Sequence, residues 1–151
     1  ALLQMRPDVP EDFRAVEWLA FASNAFNTMV PFYANVERTP EYLANTTGTV
    51  STDNFYWTSR LIAAMADASY NKSLFHLERY EEAVLSAGRA LVNQYDAKLA
   101  AEPDAARRAA LREEANTAIA AMLQEKAADT LDKVLFELSS QMKNAYSRSD
   151  A

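Results

Sequence analysis

Hydrophobic and polar positions alternate differently in the two halves of this chain. In residues 1 to about 50 the apolar runs are short and broken by proline, four of the five prolines falling there. Leu2, Leu3 and Met5 predict a short strand ended by Pro7. Arg14 to Ala22 predicts a second, with Ala15, Glu17, Leu19 and Phe21 on one face and Val16, Trp18 and Ala20 on the other. Two largely apolar faces imply a strand in a sheet covered on both sides. Thr28 to Tyr33 predicts a third, and Pro31 within it implies an edge position or the end of the strand. The polar stretch Asp8 to Asp12 reads as a loop.

After a turn at Asn45 to Gly48 the period changes to that of a helix, with Ser51 or Thr52 as N-cap and Asp53 in the first turn. Phe55, Leu61, Ile62, Met65 and Ala66 start a helix of moderate length. A second is expected from about Ser73 to Ala101, with Leu74, Leu77, Val84, Leu91, Tyr95 and Leu99 on its apolar face. Pro103, as first helical residue, opens a third, whose stripe runs through Ile119, Met122, Leu123, Leu131, Leu135, Leu138 and Met142. The fold class is therefore α+β: a strand-rich segment, residues 1–50, followed by a helical segment, residues 51–151. Three short strands cannot bury two faces by themselves, and helices on one side cover only one. The expectation is that the two segments form one fragment of a single domain and complete a larger sheet.

Composition narrows the function. Half of the 151 residues are hydrophobic and only two are glycine, which argues against disorder and against an all-β fold. A net charge of −6 opposes binding to nucleic acid or to anionic membranes. No apolar run is long enough to span a bilayer. Ala1 to Met5 lacks a basic region and a sustained apolar stretch, so a cytoplasmic protein is expected, or one whose leader lies elsewhere. Cysteine is absent, which removes disulfides, thiolate metal sites and thiol nucleophiles from this chain.

His76, the sole histidine, has no second histidine with which to bind a metal and reads as structural or surface. Glu78, Glu81 and Glu82 with Arg79, and Glu113 and Glu114 with Arg107, Arg108 and Arg112, read as solvated faces with local ion pairs. The glycosylation patterns at Asn45 and Asn71 have no secretion signal beside them. The unusual stretch is Val50 to Asp67, where Phe55, Tyr56 and Trp57 precede Arg60. Among apolar groups an arginine needs a carboxylate, backbone carbonyls or an anionic substrate group. Arg60 is the candidate functional residue, and core packing is the competing reading of the aromatics.

Leu3-Gln4-Met5-Arg6-Pro7-Asp8-Val9-Pro10, Val16-Glu17-Trp18-Leu19-Ala20 and Val30-Pro31-Phe32-Tyr33 resemble successive blocks of the bacterial dipeptidase family of N-terminal-nucleophile cysteine hydrolases. Thr39-Pro40-Glu41-Tyr42-Leu43 and Ser51-Thr52-Asp53-Asn54-Phe55-Tyr56-Trp57 continue the series. Order and spacing agree over residues 2 to about 100, and the last fifty residues match only as a helical C-terminus. The resemblance implies a four-layer αββα sandwich, dipeptide substrates of broad side-chain range, and no metal or other cofactor; the apolar strands left without cover lead separately to the expectation of a homo-oligomer. It also implies a processed N-terminal cysteine that attacks the peptide carbonyl, with its own α-amine as base, to give a thioester. This chain departs from the pattern in having no cysteine, so the nucleophile is expected upstream and the chain alone is expected to be inactive. Penicillin V and bile salt hydrolases, of the same superfamily, place an arginine at a comparable helix start, in a context that Thr58-Ser59-Arg60-Leu61 loosely resembles. Arg60 is on that ground a candidate for stabilising the thiolate, the oxyanion or the substrate carboxylate. Two alternatives stand beside this reading: a helical protein-interaction module built on Ile119 to Met142, and a catalytically dead homologue acting in binding.

Overall fold

The computed structural model describes residues 1–143. Three strands, β1 (Leu2–Met5), β2 (Ala15–Leu19) and β3 (Val30–Tyr33), form an antiparallel sheet in the order β1-β2-β3. Four helices follow: α1 (Glu41–Ala44), α2 (Phe55–Ala68), α3 (Tyr70–Ala101) and α4 (Ala105–Ser139). The α+β class stands, with the strands first and helices thereafter. No helix among the described residues is long and apolar enough to cross a membrane.

The register gives the sheet two unlike faces. Val16 lies opposite Gln4 and Tyr33, and Trp18 opposite Leu2 and Pro31. This face meets α3: the Arg89 guanidinium lies 5.9 Å from the Trp18 ring, and Gly88 backs onto Pro31. A Cβ at Gly88 would sit 2.7 Å from Pro31 Cδ, so glycine is required there for the close approach. The expected double cover of β2 is only partial. Val16 is buried, the rest of β2 is half-buried, and Leu2, Leu3 and Met5 on β1 are each more than half exposed.

Pro31 does mark an edge. Strand residues two apart point their backbone groups the same way, so the N–H that Pro31 lacks would face outward with that of Tyr33. Outside β3 lies α4, whose Asn116 takes the place of a neighbouring strand. Its Oδ1 accepts from Tyr33 N at 2.8 Å and its Nδ2 donates to Tyr33 O at 2.9 Å. One amide side chain thus satisfies two buried backbone groups whose exposure to nothing would be costly.

The core lies between α4, α3, α2 and β3, and includes Phe13, Phe32, Tyr33, Phe55, Ile62, Val84, Leu99, Ile119 and Leu123. The apolar face of α3 is as expected, Leu77, Val84, Tyr95 and Leu99 being buried. The stripe expected on α4 holds through Leu123 and in part at Leu131, which packs half-buried against the core, and is corrected around them. Ala127, Thr130 and Val134 face inward, while Leu135 and Met142 are exposed. Small residues win the interior because they let the helices approach closely, and Thr130 satisfies its hydroxyl on Lys126 O at 2.8 Å.

The caps also differ from expectation. Asn54, not Ser51 or Thr52, caps α2, its Oδ1 accepting from Trp57 N at 2.9 Å. Ser51 instead accepts from Asp53 N in the preceding turn. Asp104 caps α4 by accepting from Arg107 N, which places Pro103 just outside that helix. α3 begins three residues earlier than expected, with only Ser69 between it and the end of α2.

Candidate functional site

The start of α2 is fixed from several directions. Besides the Asn54 cap, Thr58 Oγ1 donates to Asn54 O at 2.8 Å and the Trp57 indole N–H donates to Thr47 O at 2.9 Å. Phe55 is fully buried, 5.1 Å from the Phe21 ring and 6.1 Å from Tyr42. Tyr56 packs edge-on against Phe21 and Trp57. These aromatics tie the segment after β2 and the turn before α2 to one helix end, as core packing would.

Arg60 stands apart from that cluster. It is exposed, so the expectation of a charge enclosed by apolar groups is overturned. A helix turns ~100° per residue: Phe55, Ser59 and Ile62 face inward, and Arg60 is carried round to the surface. Its guanidinium lies 5.6 Å from the Tyr56 ring, one turn back along α2. Among the described residues it makes no hydrogen bond or ion pair.

Arg60, Ala63, Ala64 and Asp67 share one face of α2 at helical spacing and line a groove of about 340 Å³. The other wall is the loop from Ala22 to Phe26. Ala22 has φ 79°, the one non-glycine in the left-handed region among the described residues. That conformation costs roughly 1–2 kcal/mol for a residue with a Cβ, and such strain gathers at ligand-binding segments. Phe26 is held in turn by Tyr70, ring centres 6.1 Å apart. Neither Asp67 nor Ala22 was picked out by sequence reasoning. The signal for Asp67 was its spacing of seven residues, two turns, from Arg60.

The other candidates take structural places. His76 Nε2 lies 3.2 Å from Glu137 and joins α3 to α4. Glu78, Glu81 and Glu82 are exposed, beside Arg89. Glu113 pairs with Arg38, Glu114 accepts from Tyr95 at 2.9 Å, and Arg107 is exposed. The arginines of α4 are not merely local: Arg108 pairs with Asp12, and Arg112, buried, donates to Asn35 O at 2.7 Å. Arg6 pairs with Asp96, which also accepts from the Tyr33 hydroxyl at 2.8 Å. Burial, with the Asp96 carboxylate next, pushes the Tyr33 phenol far above its ordinary value. Tyr42 and Tyr80 are likewise raised by burial. The Thr58 hydroxyl opposes the rise at Tyr42, but its proton is committed to Asn54 O, and Tyr42 makes no hydrogen bond through its OH.

Among the described residues no group of three His, Asp or Glu side chains is placed to hold a metal, and no serine is hydrogen-bonded to His76. What the groove offers is charge and position: a free guanidinium, a carboxylate and a small apolar floor. The sequence profile of Peptidase family C69 matches residues 1–83, more than half of the chain, and the chain belongs to that family. It is 41% identical over 150 residues to a probable dipeptidase A of Streptococcus pyogenes serotype M3 (strain SSI-1), covering 99% of this chain and 31% of that protein. It is 35% identical over 187 aligned positions to a dipeptidase of Bifidobacterium longum (strain NCC 2705), covering 99% of this chain and 35% of the relative. A dipeptidase A of Lactobacillus helveticus is 44% identical over 69 residues, 46% of this chain and 14% of that protein. The chain thus spans about a third of the length of the two relatives that match nearly all of it. With the streptococcal protein the similarity runs through α4, beyond the first hundred residues to which the resemblance had been assigned.

Proposed function

We propose that this chain is the later portion of a cysteine dipeptidase whose nucleophile lies outside these 151 residues. The observation that carries the reading is the 41% identity to a probable dipeptidase A over nearly the whole chain. The absence of cysteine fits a division of labour in which this portion binds and positions while another attacks. In the proposed reaction an N-terminal cysteine thiolate adds to the peptide carbonyl and its α-amine accepts the thiol proton. The leaving amine departs with a proton, and water hydrolyses the thioester. Arg60, exposed and without a hydrogen bond or ion pair among the described residues, supplies a positive charge to an anionic group of the bound substrate. The protein acts in the cytoplasm and as a homo-oligomer in this reading.

The test compares the 151-residue chain with the full-length protein on a set of unblocked dipeptides. The full-length protein is expected to release free amino acids and to lose that activity on thiol alkylation, and the short chain to release none. Turnover by the short chain, or alkylation-insensitive turnover by the full-length protein, overturns the reading.

A further inference from the structure

β1 ends the sheet without any of the devices that close an edge. The other edge is finished: Asn116 of α4 answers the outward backbone groups of Tyr33, and Pro31 has no N–H to leave unpaired. Across the β1–β2 pair Arg6 N donates to Arg14 O, so alternation along the strand turns the backbone groups of Leu2 and Gln4 toward β2. Those of Leu3 and Met5 therefore face away from the sheet, and among the described residues nothing bonds them.

The side chains match. Leu2 stands on the α3 face of the sheet and Leu3 and Met5 on the opposite face, with 57, 61 and 59% of their surfaces exposed. A sheet edge that stays in water carries a charge, a proline or a bulge, which stops a further strand from joining. Leu-Leu-Gln-Met carries none of these, and a strand apolar on both faces belongs inside a sheet. The relatives have the length to supply a neighbour: 99% of this chain aligns with only 31% of the streptococcal protein. A strand tethered in the same polypeptide also acts at a roughly millimolar effective concentration, which a second copy matches only in concentrated solution.

We propose that the outer edge of β1, at the N–H and C=O groups of Leu3 and Met5, receives a strand from the part of the polypeptide outside these 151 residues. The seam rests on the dipeptidase reading and adds to it the place where this portion joins the rest. The sheet grows in one direction only, from β1, because α4 holds the β3 edge. The incoming strand is flanked by Leu2 on one face and by Leu3 and Met5 on the other, and is itself a near-continuous apolar run.

The experiment follows hydrogen exchange, resolved to single amides, in the full-length protein. The Leu3 and Met5 amides are expected to exchange about 100-fold or more slower than those of an unstructured chain, whatever the protein concentration. Leu3→Pro removes an outward N–H and leaves the bonds to β2 in place. It should lower the melting temperature by about 4 °C or more and release Met5 to fast exchange, whereas an edge in water would tolerate the proline. Wild-type Leu3 and Met5 amides that exchange as freely as a loop overturn the seam, as does a Leu3→Pro melting temperature within about 1 °C of wild type. Protection that fades on dilution assigns the edge to a second copy and overturns it too. If Leu3→Pro does not fold, exchange in the wild-type protein still decides. Each of these failures leaves dipeptide turnover by the wild-type protein, and with it the dipeptidase reading, untouched. A full-length protein that protects both amides yet cleaves no dipeptide overturns that reading and keeps the seam.

Discussion

β1 and β3 are the two edges of one sheet, four residues each, and their surroundings could hardly differ more. Val30, Pro31, Phe32 and Tyr33 are all buried, whereas Leu2, Leu3, Gln4 and Met5 are all exposed. Composition does not explain the difference, since Leu-Leu-Gln-Met is as apolar a run as Val-Pro-Phe-Tyr. Cover does. β3 has α3 against one face and α4 along its edge, with Asn116 answering its backbone groups. β1 is held by its pairing with β2, by the Trp18 indole bond to Gln4 and, at its end, by the Arg6 pair with Asp96, and its four residues stay exposed. A strand's hydrophobicity states what it could bury; the fate of its edge decides what it does bury.

The comparison can be broken most forcefully at Asn116. Asn116→Ala leaves Tyr33 N and O without partners in a buried site, and should cost about 3 kcal/mol, read as a shift in the denaturation midpoint. A change under about 0.5 kcal/mol would mean that α4 covers the β3 edge by packing alone. Next in size is Gly88→Ala. Alanine gains about 1 kcal/mol of helix propensity, but its Cβ would lie 2.7 Å from Pro31 Cδ, on a rigid ring that cannot turn aside. Overpacking of this sort costs about 1–3 kcal/mol, so a net loss of stability is expected, and a gain would show β3 to be more loosely held than described. The smallest effect belongs to Leu3→Lys on β1. Stability should stay within about 0.5 kcal/mol, while light scattering should show less self-association, since a charge on an exposed strand discourages edge pairing. A marked loss of stability would mean that Leu3 is covered in solution.

Much of this arrangement could be read from the residue pattern alone. The three strands, the edge role of Pro31, the change to helical period near residue 55 and the inner face of α3 follow from period and proline placement. What escaped has identifiable physical causes. Asn116 and Arg112 sit on the inward face of α4 as polar residues among alanines. Their reason for being there, the backbone of residues 33 and 35, lies about 80 positions away and leaves no local trace. The α4 stripe slipped because leucines attract a hydropathy reading, whereas Ala127 and Thr130 are inside for their small size. Arg60 was singled out, but adjacency in sequence was mistaken for enclosure. Five residues on from Phe55, the helix has turned the side chain outward. Asp67 and Ala22 gained meaning only when the fold set a loop across from a helix face.

The Asn116 bridge to Tyr33 also sets an order of events during synthesis. The two residues are 83 positions apart in the chain, and Arg108 reaches Asp12 across 96. At ~5–20 residues per second, a ribosome needs about 4–17 s after making Tyr33 before Asn116 exists at all. For that interval the β3 edge has no α4 along it, a state suited to pairing with strands of another chain. The nascent chain is therefore exposed to aggregation through its β3 edge in the seconds before α4 emerges, and a truncation ending ahead of residue 116 would remain in that condition.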